Sequence, residues 1–75
     1  MTYREVITLD TPLYIERESG FELAQVNELQ QGSIYHTQTQ GEPPQLKRVV
    51  GSPEPVFDAH HQHIIEWQVE ATHEL

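Results

Sequence analysis

The stretch Ile64-Ile65-Glu66-Trp67-Gln68-Val69-Glu70-Ala71 decides the fold class. Its residues Ile65, Trp67, Val69 and Ala71 alternate with Glu66, Gln68 and Glu70, and a period of two puts the apolar set on one face of an extended chain. A helix would instead gather Ile65 with Val69 and Glu66 with Glu70 on separate stripes. The segment therefore reads as a strand with one buried side. Trp67, the only tryptophan in the chain, lies in its middle, either as a core residue or as an interface anchor.

The same reading extends toward the amino terminus. Tyr3 to Leu9 is rich in β-branched and aromatic residues and ends at Asp10-Thr11-Pro12, a strand followed by a turn. Leu13 to Arg17 resumes the alternation with Leu13 and Ile15 on one face, and Glu18-Ser19-Gly20 predicts a tight hairpin in which Gly20 takes the positive φ. Ser33 to Thr39 and Gln45 to Val50 predict two more strands. Gly41 and Pro43-Pro44 interrupt the chain between them, and Gly51 to Ala59, with Pro53 and Pro55, reads as the longest loop.

Phe21 to Gln31 supports two readings. Ser19 and Glu22 are spaced like a capping box and Gly32 like a helix C-cap, whereas Phe21, Leu23, Ala24, Val26 and Leu29 scatter around a helical wheel. A strand over its first half is the preferred reading. The fold expected is mainly β: a small antiparallel sheet or partly open barrel of five to six short strands. The alternative is an α+β fold with one short helix near 20–31.

At 75 residues the chain makes one domain, 1–75. A chain of that size buries only about 60% of its unfolded surface. Its hydrophobic content of 36% fills one thin core layer and leaves little to line a deep substrate pocket. Association into a homodimer, or with an obligate partner, would relieve that shortage. Twelve acidic against four basic residues give a net charge of −8, which repels nucleic acid phosphates and anionic lipids and suits a basic protein partner. The lack of cysteine removes disulfides, thiolate catalysis and zinc–thiolate sites. No run approaches the roughly 20 apolar residues of a membrane span, and Met1 to Ile7 has no export pattern, so a cytoplasmic location is expected.

Candidate chemistry gathers at Asp58-Ala59-His60-His61-Gln62-His63. If the last strand starts early, His61 and His63 share a face and chelate zinc or another transition metal, with Asp58, His60 or His36 as a third ligand. The plainer reading makes them solvated loop residues, with no cofactor. Val56 and Phe57, in a proline-stiffened segment, are candidate contact residues together with Trp67. Lys47 and Arg48 are expected to pair with carboxylates. Ser19, Ser33 and Ser52 sit in no nucleophile elbow, and no glycine loop suits a phosphate, so no enzyme is expected. The function expected is a small acidic protein–protein interaction module acting as accessory, adaptor or inhibitor. The alternatives are a nucleic-acid mimic built on Glu16, Glu18, Glu22 and Glu28, or a histidine metal-binding domain.

Overall fold

A computed structural model describes residues 1–37 and 41–74. Seven strands form one antiparallel sheet: β1 Thr2–Thr8, β2 Leu13–Arg17, β3 Gly20–Ala24, β4 Ile34–Thr37, β5 Lys47–Val49, β6 Glu54–Phe57 and β7 Ile64–His73. They are ordered β1-β7-β5-β4-β2-β3, with β6 also paired to β7. Strand β1 occupies one edge of β7 from Glu66 to Thr72. Strands β5 and β6 therefore share the other edge, at 71–73 and 64–68 respectively.

Strands β1 and β2 follow each other in the chain yet lie far apart in the sheet order. Ile7 of β1 nevertheless shares one core cluster with Leu13 and Ile15 of β2, so the sheet curls until its two ends face each other. It does not close into a barrel. The inward residues Tyr35, Val49, Val69 and Ala71 complete the interior with Val26 and Leu29, which plug it from the β3–β4 connection. Along β7 the expected apolar face is buried in a gradient. Val69 and Ala71 are sealed and Trp67 is half-buried, while Ile65 is 49% exposed because the start of the strand runs beyond the curl.

The β2–β3 hairpin forms as its residues require. Glu18 and Ser19 make the turn and Gly20 follows at φ +119°, a conformation costly for any side chain. The preferred strand over the first half of 21–31 forms as β3, and the alternative of a short helix near 20–31 reduces to a single 3-10 turn, Val26–Glu28. The Ser19 hydroxyl does donate to Glu22, at 3.3 Å, but across the start of a strand. It is the Gln25 backbone N–H that donates to Glu28, at 2.7 Å, and starts the turn. One expectation needs correction: within the supposed loop 51–59, Glu54–Phe57 is instead a strand. Proline has no N–H to give a ladder, but β6 pairs only with β7, and Pro55 is tolerated on a strand with one free edge. The strand expected over 33–39 is described as far as Thr37, and its last two positions lie outside the described residues.

Among the described residues, one ion pair reaches into the interior. Lys47 is 7% exposed and pairs with Glu5, whose other carboxylate oxygen accepts the Tyr35 hydroxyl at 2.7 Å. The Lys47 ammonium also lies 5.6 Å from the centre of the Tyr35 ring. Arg48 points outward and forks onto Glu74 at 3.0 and 2.7 Å, holding that carboxyl below its usual range. Both basic residues are thus spent on carboxylates, as expected.

Removing one member of a buried pair strands the other without its counter-charge, at a cost of about 3–5 kcal/mol. Lys47→Ala is therefore expected to destabilise far more than Tyr35→Phe, for which loss of one hydrogen bond costs about 1 kcal/mol. The double variant Glu5→Leu/Lys47→Met is expected to recover most of the loss, and urea denaturation measures all three. Burial, then the hydrogen bond and charge of Glu5, push the Tyr35 phenol far above its ordinary value. A raised native value means the neutral phenol is favoured by folding. That stability is intact below the unfolded value near about pH 10 and is lost as the pH climbs beyond it. Denaturation midpoints should fall above that pH, and less steeply in Tyr35→Phe.

Candidate functional site

The histidine segment is a closed turn. Asp58 N–H bonds to the His63 carbonyl at 2.9 Å, and His61 N–H bonds back to the Asp58 carbonyl at 3.0 Å. The Asp58 carboxylate accepts the backbone N–H groups of His60 and Gln62 at 3.1 and 2.9 Å. Aspartate suits this position because its short side chain can mimic a backbone acceptor. His61 takes φ +55°, and its ring lies 6.2 Å from that of Phe57. Strand β7 begins at Ile64, so His61 and His63 lie on the turn rather than two apart on a pleat. Among the described residues, no three His, Cys, Asp or Glu side chains converge as a metal site would require. Stoichiometric zinc is accordingly expected to leave the His61 and His63 NMR shifts and the melting temperature unchanged.

The other candidates lie on the neighbouring strand pair. Pro55 sits opposite Trp67 and Val56 opposite Glu66, with a register shift before Phe57. Val56 is half-buried and Phe57 is 44% exposed. Trp67 packs against the core and also lines an open groove with Leu13 and Val26. The structure thus brings Val56 and Trp67 to adjoining strands and leaves Phe57 at their end, beside the histidine turn.

A second surface carries a stronger contrast of character. β3 is the last strand of the sheet, and among the described residues its outer edge has no strand partner. Phe21 is 39% and Leu23 70% exposed on its convex side. Behind them, His36 stacks on Tyr14 at 5.1 Å and meets Phe21 edge-on at 4.9 Å, making one continuous aromatic surface. On the opposite face of β3, Glu22 alternates with the two apolar residues. Glu16, Glu18 and Glu28 flank the hairpin and the turn that follows, while Arg17 is the sole cation between residues 13 and 31. It pairs with Glu28 at 3.4 Å.

The sequence groups these four glutamates and predicts a strand through Phe21 and Leu23, but it does not single out the two apolar residues. Their exposure depends on β3 being terminal, and sheet order comes from contacts remote in sequence. No family model matches the chain, and no curated protein or solved structure matches it either. No helix among the described residues is long and apolar enough to cross a membrane.

Proposed function

We propose that the protein is an interaction module that adds a basic, extended segment of another protein to the outer edge of β3. The supporting observation is the exposed pair Phe21 and Leu23 on an unpaired strand edge, set among Glu16, Glu18, Glu22 and Glu28. A strand edge offers unpaired backbone groups to an extended peptide, and the side chains alongside choose which peptide is accepted. Here the choice has a period of two. Apolar partner residues would lie beside Phe21 and Leu23, and cationic ones would lie on the opposite face beside Glu22.

The remaining edges are less inviting. β6 carries Pro55 and β1 bears Arg4, a proline and a cation of the kind by which sheet proteins discourage pairing. β3 has neither proline nor cation. A second copy is the weaker occupant. Two-fold antiparallel pairing of Gly20–Ala24 would set the two Glu22 carboxylates opposite each other, and like charges so placed repel. A nucleic-acid mimic fits less well than a strand acceptor, since Phe21 and Leu23 interrupt the acids with apolar surface.

Selection from a random peptide-display library is expected to enrich segments in which Lys or Arg alternates with apolar residues. Recovery of acidic or patternless peptides would remove the reading. Against an enriched peptide, Leu23→Lys and Glu22→Lys should each weaken binding about tenfold, or about 1.4 kcal/mol, with the second effect fading in high salt. Light scattering at micromolar concentration and neutral pH should record a monomer.

A further inference from the structure

We infer that the added segment does not end at β3 but seats a large apolar residue, best an aromatic, in the groove running from Ala24 to Trp67. This rests on edge addition at β3. Two open grooves of about 290 and 440 Å³ adjoin, sharing Leu9, Thr11, Leu13, Ala24 and Gln25. One extends to Trp67 and the other to Leu23 and Glu28, so together they run from the end of β3 past the β1–β2 connection to β7. β3 stops at Ala24 because the following 3-10 turn carries Val26 and Leu29 into the core. A partner strand continuing straight past Ala24 therefore leaves its own strand neighbour and passes over this recess.

The lining specifies the occupant. Leu13, Ala24, Val26 and Trp67 give the inner groove its apolar wall, Thr8, Thr11, Gln25 and Asn27 supply neutral polar groups around it, and no charged side chain lines it. The Thr8 hydroxyl is already bonded to Asp10 and to Thr11, so those two side chains ask little of a ligand. The size is at the lower end of small-molecule pockets, which run from about 300 to 1,000 Å³. A single aromatic side chain fits within that volume. Asp10 and Glu28 stand at the outer groove, where a Lys or Arg adjacent to the anchor would meet them.

The test uses the peptide (Lys-Val)3-Lys and two extensions of it, Phe-Gly-(Lys-Val)3-Lys and (Lys-Val)3-Lys-Gly-Phe, against the intact protein. One extension, set by strand direction, is expected to bind about tenfold tighter than the core peptide. It should also shift the emission of Trp67, the single tryptophan. Leu9→Ser, at the exposed lip common to both grooves, should abolish the gain and the emission shift without changing core-peptide affinity. Equal affinities for all three peptides, with β3 amide shifts but unchanged Trp67 emission, would overturn the anchor and leave edge addition standing. Absence of any β3 shift with all three peptides would overturn both.

Discussion

The pairing of β7 along both of its edges is the constraint from which the rest of the molecule follows. Its ten residues are long enough to hold β1 on one side and both β5 and β6 on the other. Because β1 is fixed there, Ile7 is presented to the concave side, and the core forms only when the sheet bends far enough to bring Leu13 and Ile15 over it. The bend hides one face of a single sheet without a second layer, which suits a chain with so few apolar residues. It also leaves terminal strands, since closure into a barrel is the arrangement that abolishes edges. The exposed edge of β3 is thus a consequence of how this chain makes its core.

The Lys47–Glu5–Tyr35 group belongs to the same geometry. Glu5 lies on the inward face of β1, Lys47 on β5 and Tyr35 on β4, so the network joins three strands that the curl brings together. A pair this enclosed adds little net stability over an apolar substitute, but it penalises every arrangement that buries one charge without the other. A strand slipped by one residue would turn Glu5 or Lys47 to the opposite face. Its contribution is therefore to the register of β1 against β7 and of β4 against β5.

Legibility from the sequence followed how local each feature is. The alternation from Ile65 to Ala71, the inward pair Leu13 and Ile15, and the turn glycine Gly20 depend on near neighbours, and all were readable. Strand β6 was not, because Pro53 and Pro55 signal a loop unless one knows that only one edge of the segment is paired. Ile65 fits its strand's pattern yet lies half in solvent, since no periodicity reveals where the opposing end of the sheet stops. The histidines are metal-binding residue types, and the local sequence does not reveal that Asp58 closes their turn through backbone N–H groups. At β3 the residue types were visible but the vacancy beside them was not, because the order of a sheet is a long-range property.

An unguarded apolar edge is normally an aggregation hazard, and the charge distribution explains how this chain can carry one. Glu16, Glu18 and Glu22 lie on the hairpin that carries Phe21 and Leu23, and Glu28 on the turn after it, so another copy approaching the same edge brings the same charges. The repulsion acts on any anionic surface and is reversed for a cationic one, which makes a single set of carboxylates both the safeguard and the selector. Proline or lysine on β3 would have protected the edge against every partner alike. Glutamate discriminates, as the proposed docking of a basic segment at β3 requires.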